Sequence, residues 1–439
     1  MAINKTSKPL EKHIENALLF GSFIAWNETS MFCNELSRTL AEVTEYAEKN
    51  PQEGLGLLEL FMGGCLTKAQ EIDDSDGDLG MFMDDLILTW TRCCEAASMI
   101  GEEFVRKLAH WEKVDDIGYC SDIETKVIPA LSKRFASALE STLLKRLETP
   151  ESKKLDQYKT DYKYRSTVST IKKLYASTKN INALINFCEK YEIDDADCLS
   201  IATIFHEKKQ FYDALRWADK GLALISNRSS KEYELKTLRR KILADSGRND
   251  EALEDAWAEF IKHPSKYSLE TVFEFVPPQK NSFYKDKALV ILDKININES
   301  CVAFLSLGEL ERLDNKISQA SEKELEDIFY GEAISMAKTM SKNFPHSAAR
   351  IYVAQALRIL HEKRSKAYYH AHDYLEKAKD LFEKCGKEDL WTKTVSNIRT
   401  EHKLKSSFMP GFEQIVAGKG APREPTFMER IASKLDKDL

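Results

Sequence analysis

The sequence predicts an all-α protein: an α-solenoid of consecutive helical pairs that follows a helical N-terminal block. Three features support this. Only 17 Gly and 11 Pro occur among 439 residues, which leaves too few turns for a many-stranded sandwich or barrel. Hydrophobic residues make up 43% of the chain, enough to build packed cores rather than a disordered chain. They recur at helical spacing in segments that short polar stretches separate.

The first predicted domain, residues 1–150, is a block of long amphipathic helices. Apolar side chains recur every three or four positions at Leu36, Leu40, Val43 and Ala47, and again at Phe82, Leu86 and Trp90. Pro51, Pro129 and Pro150 mark predicted helix boundaries, because proline cannot donate the hydrogen bond that a helix interior requires. The longest apolar run near the start, 17–26, is too short to span a bilayer, so we expect no membrane insertion.

The second predicted domain, residues 151–416, is a series of helical pairs. In the clearest pair, large residues on one helix are followed by small residues on the next: Ile201, Ala202 and Phe205, then Ala214, Trp217, Ala218 and Gly221. Small side chains let two helix backbones approach closely. The pattern resembles the tetratricopeptide repeat, and it recurs in weaker form around Ala252 and between 349 and 382. The resemblance implies a solenoid whose concave face binds a protein or peptide.

The third predicted domain, residues 417–439, is a linker followed by an amphipathic helix. Gly and Pro at 420–425 indicate a loop. Phe427, Ile431 and Leu435 then recur every four residues, which is typical of a short helix that lies in an apolar groove. We expect this helix to dock on its own solenoid; a groove of a partner protein is the alternative.

Charge and cysteine content limit the environments and partners of the chain. The net charge of -7 provides no overall attraction to nucleic acid or to an anionic membrane. The nine cysteines form no Cys-x-x-Cys pair, which argues against a zinc ribbon or a thioredoxin-like site. We therefore predict free thiols, a reducing compartment and a cytoplasmic location.

Basic and aromatic residues concentrate in one segment, 133–179. It carries twelve Lys and Arg against five Asp and Glu, with four tyrosines interleaved. Such a segment favours an acidic protein surface as partner, and single-stranded nucleic acid is the alternative. The candidate protein-binding residues are Tyr158, Tyr162, Lys163, Tyr164 and Arg165 in this segment, together with Lys236, Arg239 and Arg240 further along the chain.

The acidic run Asp73–Asp78 has two interpretations. An EF-hand is excluded, because Ile72 and Met83 stand where its first and last carboxylate ligands belong. We expect Asp74 or Ser75 to cap the helix that begins near Asp78, with Gly77 in the turn. The alternative is a divalent ion held by the carboxylates, as in a metal-dependent enzyme centred on Asp73–Asp78.

The histidines at 370 and 372 do not predict a metal site. On a helix, residues two apart point in nearly opposite directions, so His370 and His372 cannot both ligate one ion. We expect solvated or capping histidines, and no metal and no cofactor.

Several of these segments together carry a family resemblance. They are the Asp-Asp-Ser-Asp-Gly run at 73–77, the stretch 212–221, the stretch 371–378, and His402 with the basic-aromatic segment 403–408. Over about residues 60–415 they resemble a bacterial family of helical proteins of unknown function, related to the helical regions that accompany SWIM zinc-finger proteins. The resemblance implies a helical fold and no activity. The Cys-x-Cys…Cys-x-His pattern of the SWIM module itself is absent from the sequence.

The sequence as a whole favours a non-enzymatic interaction protein. It contains no Gly-rich phosphate loop, no Gly-x-Ser-x-Gly elbow and no His-Glu-x-x-His. The leading hypothesis is a cytoplasmic scaffold or adaptor that binds a protein or peptide in a solenoid groove. The alternatives are a nucleic-acid-associated component of a bacterial defence or regulatory complex, acting through 133–179, and the metal-dependent enzyme.

Overall fold

A computed structural model describes residues 7–20, 23–148, 157–225 and 231–421, with the side chains of 157–161 excepted. The described residues form 23 α-helices joined by short turns. In chain order they are α1 (Lys8–Ala17), α2 (Trp26–Lys49), α3 (Pro51–Lys68), α4 (Asp78–Ala96), α5 (Gly101–Val114), α6 (Ile123–Lys126), α7 (Lys133–Glu148), α8 (Gln157–Ser177), α9 (Ile181–Lys190), α10 (Asp195–Glu207), α11 (Phe211–Leu224), α12 (Glu232–Asp245), α13 (Asn249–Lys262), α14 (Lys266–Phe275), α15 (Asn281–Leu292), α16 (Ile297–Leu307), α17 (Leu310–Gln319), α18 (Glu322–Glu326), α19 (Tyr330–Met340), α20 (Pro345–His361), α21 (Tyr368–Lys384), α22 (Glu388–Glu401) and α23 (Met409–Val416).

The predicted fold class is confirmed. In the described ranges the protein is all-α, and helices adjacent in sequence pack as neighbours in space, as α10 does with α11 and α20 with α21. The β-type pairing found among these residues is one isolated bridge between Ile24 and Ile72. Across the same residues, no helix is both long and apolar enough to cross a membrane.

The chain divides into two compact units, Met1–Ile242 and Leu243–Leu439. The division falls within α12. The domain boundaries expected near residues 150 and 416 stay predictions.

The first unit has an aromatic stack at the centre of its N-terminal helices. Trp90 of α4, Phe104 of α5 and Phe135 of α7 are fully buried. Phe104 stacks on Phe135 with ring centroids 4.1 Å apart, and on Trp90 at 5.5 Å. Each ring comes from a different helix, so the stack joins three elements through apolar burial and ring contact.

The α10–α11 pair shows why the small residues matter. Ala214, Ala218 and Gly221 are buried on the face of α11 that meets α10. A Cβ added at Gly221 would lie 2.9 Å from Cys198 Cβ and 2.9 Å from a Leu235 methyl carbon, closer than such atoms normally pack. The predicted close approach of these backbones is confirmed.

The second unit is organised around α20. Twelve of its seventeen residues are buried, because α18, α19 and α21 pack against it from several sides. Small residues again occupy the contacts, with Ala349 and Ala356 on α20 and Ala371 and Ala378 on α21 buried. The helical pair predicted between 349 and 382 is therefore confirmed.

Two of the three prolines that were predicted to mark helix boundaries lie at the start of a helix or helical turn. Pro51 is the first residue of α3, and Pro129 lies in a one-turn 3-10 helix, Ile128–Ala130, that precedes α7. Both positions tolerate the missing N–H of proline. Pro150 lies outside the described residues.

The acidic run forms a helix cap, as predicted. The carboxylate of Asp74 accepts hydrogen bonds from the backbone N–H groups of Leu79 (2.7 Å) and Gly80 (3.0 Å) in the first turn of α4. It also accepts one from the hydroxyl of Tyr119, at 3.0 Å. Gly77 adopts a left-handed conformation, φ 79°, in the turn before the helix.

All nine cysteines are unpaired and fall within the described residues. Eight of them are buried and Cys385 is half-buried. Burial raises the pKa of the Cys301 thiol to about 12 and that of Cys188 to about 12, so these side chains are uncharged and pack as small apolar groups.

Candidate protein-binding groove

A groove of about 620 Å³ runs between α8 and the start of α10 in the first unit. One wall is the face of α8 that carries Tyr164, Arg165 and Lys173. The other wall is the turn between α9 and α10, with Tyr191, Glu192 and Asp194. The sequence places this turn here because α9 ends at Lys190 and Asp194 is the N-cap of α10.

An ion pair closes the floor of the groove. Lys172 Nζ lies 2.6 Å from Asp197 Oδ2, and their side chains are only 12% and 8% exposed. The same ammonium donates a second hydrogen bond to the backbone carbonyl of Glu192, at 2.6 Å. Lys172 of α8 therefore fixes both α10 and the turn that precedes it.

Asp197 also takes part in a reciprocal helix cap. Asp194 accepts a hydrogen bond from the Asp197 N–H at 2.8 Å, and Asp197 Oδ2 accepts one from the Asp194 N–H at 3.1 Å. Burial raises the pKa of Asp197, against the hydrogen bonds from Lys172 and the Asp194 N–H. The carboxylate is thus satisfied on two sides, which makes the floor a fixed polar platform.

The rim of the groove is aromatic. Tyr191 stacks on Phe187 of α9, with ring centroids 4.3 Å apart, and Lys190 Nζ lies 5.0 Å from the Tyr191 centroid. Tyr164 of α8 lies opposite Tyr191, with the centroids of the two rings 6.4 Å apart. Tyr164 is 41% exposed, so its ring is available to a ligand.

The predicted excess of positive charge around α8 is offset by acidic residues from other elements. Arg146 forms two hydrogen bonds to the carboxylate of Glu124, at 2.7 and 2.8 Å, and Lys179 pairs with Glu207 at 2.7 Å. In the groove itself Glu192 and Asp194 face Arg165 and Lys173. The groove therefore carries charges of both signs, unlike the continuous basic track that binds a phosphate backbone.

The other candidate binding residues do not all meet at this groove. Tyr162 and Lys163 line a separate cavity of about 210 Å³ beside Glu124 and Arg146. The side chain of Tyr158 lies outside the described residues.

The three basic candidate residues of α12 differ in their exposure and in their partners. Lys236 pairs with Glu232 at 2.8 Å, and Arg239 pairs with Asp219 at 2.7 Å. Arg240 was expected on the surface, but it is only 5% exposed, so we remove it from the candidate surface. The apolar residues of the tail, Phe427, Ile431 and Leu435, lie outside the described residues.

The carboxylates of Asp73–Asp78 do not converge as a group of three metal ligands, and the metal-dependent enzyme centred on them stays a prediction. Asp74 caps α4, and Asp73 Oδ1 accepts the backbone N–H of Ser75 at 3.1 Å. Among the described residues, the group of three or more metal-ligating side chains that do converge is His361, Glu401 and His402 in the second unit. The sequence offered no spacing motif for it, because helix α21 separates the two histidines.

His370 and His372 point to different surroundings, as expected. The rings of His370 and Tyr374 are stacked, with their centroids 6.1 Å apart. His372 was expected to be solvated or to cap a helix, but it is buried, and its Nε2 lies 2.9 Å from the carbonyl oxygen of Phe408. The helix turns His372 into the core of the second unit, where burial lowers its pKa.

Comparison with known proteins gives a family. The sequence model of a family described as "Family of unknown function (DUF6880)" matches residues 6–410. The description of that family relates it neither to SWIM zinc-finger proteins nor to tetratricopeptide repeats. Both resemblances therefore stay predictions. No curated protein matches the chain.

A solved structure also matches, at low similarity. The matching chain belongs to the structure of Naa15/Naa10 bound to HypK-THB, with 12% sequence identity and a TM-score of 0.31. The match covers 90% of this chain and 64% of that one. This chain therefore spans less than two thirds of the length of the protein it matches.

Proposed function

The chain belongs to the family of unknown function DUF6880, and we propose that it is a non-enzymatic α-helical scaffold whose groove between α8 and α10 binds a peptide segment of a partner protein. In this proposal the α10–α11 pair acts as a tetratricopeptide-like unit that supports the groove. The nine unpaired thiols support a cytoplasmic location, because free cysteines persist in reducing compartments.

The observation that carries the proposal is the combination of a fixed floor and an aromatic rim in which Tyr164 is exposed and Tyr191 half-buried. Besides the ion pair, three hydrogen bonds that involve backbone atoms hold Lys172 and Asp197 in place. The floor therefore does not need to reorganise when a ligand binds. The rings of Tyr164 and Tyr191 stand over it. Tyrosine is enriched at binding surfaces because its large ring loses little conformational entropy.

The charges of the groove indicate the kind of segment it suits. Arg165 and Lys173 lie on the α8 wall, whereas Glu192 and Asp194 lie on the opposite wall. A segment with an apolar or aromatic residue for the tyrosines would be oriented by acidic side chains toward α8 and basic side chains toward the turn. The volume of about 620 Å³ accommodates a few side chains, not a folded domain.

The test is affinity capture by the full-length protein, with a groove variant and a matched control. The groove variant is Tyr164→Ala with Lys173→Glu, two exposed residues of the α8 wall. The control is Tyr212→Ala with Lys208→Glu, also exposed but outside the groove. Lysate from the source cell is treated with nuclease, and bound proteins are quantified by mass spectrometry.

We expect a near-stoichiometric protein that survives nuclease, is retained by the control and is reduced at least tenfold by the groove variant. Synthetic peptides from that protein should then bind the wild-type chain directly. Equal capture by both variants would contradict the groove as the binding site. Capture that nuclease abolishes would instead favour nucleic acid.

A further inference from the structure

We propose that the C-terminal ends of α20 and α22 form a binding site for a divalent transition-metal ion, zinc by preference, with His361, Glu401 and His402 as protein ligands. The site lies wholly within the second unit and is independent of the groove on α8. One ligand atom from each of the three side chains lies within 4.8 Å of the other two.

One of these ligands is a buried imidazole nitrogen without a partner. His402 is only 5% exposed, and its Nε2 has no hydrogen-bond partner among the described residues. A buried polar atom that makes no hydrogen bond costs about 1–3 kcal/mol, so native proteins rarely leave one unsatisfied. Coordination of a metal ion would satisfy this nitrogen.

The second histidine is already oriented by a carboxylate. His361 Nδ1 lies 2.9 Å from Oε2 of Glu326, whose side chain is only 7% exposed. This hydrogen bond places the proton on Nδ1 and leaves Nε2 as the free ligand atom. A carboxylate behind a histidine is the usual outer partner of zinc-binding histidines, where it fixes the ring and raises its basicity.

The backbone also favours a cation here. His361 is the last residue of α20, Glu401 is the last of α22, and His402 caps the same end of α22. The C-terminus of a helix carries partial negative charge, which attracts cations. Of the groups that act on His402, His361 and Lys405 oppose positive charge there, and Glu401 favours it. Glu326 adds a second carboxylate beside His361.

The donor set selects the class of ion. Two imidazoles and one carboxylate suit zinc and other first-row transition metals, whereas calcium and magnesium prefer oxygen ligands alone. Two atoms each about 2.1 Å from a tetrahedral zinc ion are about 3.4 Å apart. Because the ligand atoms lie within 4.8 Å of one another, closing the site requires each distance to shorten by at most about 1.4 Å, which the exposed side chains of His361 and Glu401 can provide by rotation.

A bound ion would join parts of the chain that α21 separates. His361 closes α20, while His402 begins the turn that leads to α23. Three protein ligands leave the fourth tetrahedral position to water.

The test is zinc titration of the full-length protein after dialysis against EDTA. Isothermal titration calorimetry gives stoichiometry and affinity, and Co²⁺ substitution reports the ligand type by absorption. The variants are His361→Asn and Glu401→Gln, both exposed, so that failure to fold does not confuse the result. The matched control is His263→Asn, an exposed histidine of the same unit.

We expect one ion per chain, a cobalt spectrum without thiolate charge-transfer bands, and an increase in Tm on zinc addition. His361→Asn and Glu401→Gln should each weaken binding at least tenfold, and His263→Asn should bind as the wild type does. Glu326→Gln, which removes the positioning carboxylate, should weaken binding about 10–100-fold and keep the stoichiometry.

Three outcomes would overturn the proposal: no stoichiometric zinc, wild-type zinc affinity in the His361→Asn and Glu401→Gln variants, or a thiolate band with cobalt. The last would assign the ion to cysteines. None of these results depends on the peptide-binding groove.

Discussion

His372 donates a hydrogen bond from Nε2 to the carbonyl oxygen of Phe408, at 2.9 Å, and stacks flat on the ring of the same residue. The ring centroids are 4.7 Å apart with an interplanar angle of 6°. This double contact fixes the segment before α23 against α21. Because the imidazole is buried, its pKa is lowered, and the neutral ring makes the contact.

The first prediction concerns pH. The pKa of His372 is lower in the folded chain than the value of about 6.5 in an unfolded chain, so the unfolded state takes up a proton first. The stability that His372 provides is therefore complete above about pH 6.5 and is lost as the pH falls below it. We expect the Tm of the wild type to fall between pH 7.5 and 5.5, measured by calorimetry.

A variant assigns the effect. His372→Gln can still donate to the Phe408 carbonyl but does not titrate, so its Tm should depend less on pH in that range. The exposed His263→Gln should follow the wild type. If His372→Gln and the wild type lose Tm equally, the buried imidazole is not the source.

The second prediction concerns the close packing of α10 and α11. Ala218 is fully buried in that contact, so Ala218→Leu forces the helices apart and should destabilise the fold by about 1–3 kcal/mol. Ala223→Leu makes the same change on the exposed face of α11 and should change stability by less than about 0.5 kcal/mol. Urea unfolding followed by tryptophan fluorescence measures both. Similar values for the two variants would mean that the helices have room to separate.

The third prediction concerns the cap of α4. Asp74→Ala removes the acceptor of two backbone N–H groups and of the Tyr119 hydroxyl, and should cost about 1–2 kcal/mol. Asp76→Ala, an exposed residue of the same turn, should cost much less. Equilibrium denaturation of the two variants decides the point. If Asp76 proves the costlier residue, the acidic run has a role other than capping.

The fourth prediction concerns the ion pair under the groove. Lys172→Met leaves the buried carboxylate of Asp197 without its cation, which should cost about 3 kcal/mol. The double variant Lys172→Met with Asp197→Asn removes the uncompensated charge and keeps an acceptor for the Asp194 N–H. It should therefore be more stable than Lys172→Met alone. A double variant no more stable than the single one would show that the charge itself does not matter.

Features with local causes were predictable from the sequence. The cap at Asp74 needs only an acidic residue, a glycine turn and a helix start within a few positions. The close approach at Gly221 follows from small residues at helical spacing on one segment. Helical periodicity was sufficient for the fold class, because each helix shows its buried face in its own sequence.

Features that depend on distant partners were not predictable. The positive charge counted over 133–179 is reduced by Glu124, Asp197 and Glu207, which come from outside that segment. Arg240 looked like a surface cation, but packing of α12 buries it. His361 and His402 meet only because α20, α21 and α22 pack in a particular order, and no local spacing encodes that order.

The buried cysteines can serve as native probes of transient opening of the fold. A maleimide reacts with thiolate, so a thiol that is buried and uncharged can be labelled only while its surroundings transiently open. Seven of the buried thiols belong to the first unit, whereas Cys301 is the buried thiol of the second. The labelling rate of each cysteine, read by mass spectrometry, therefore measures how often the surroundings of that cysteine open under native conditions. It does so without denaturant and without any engineered probe.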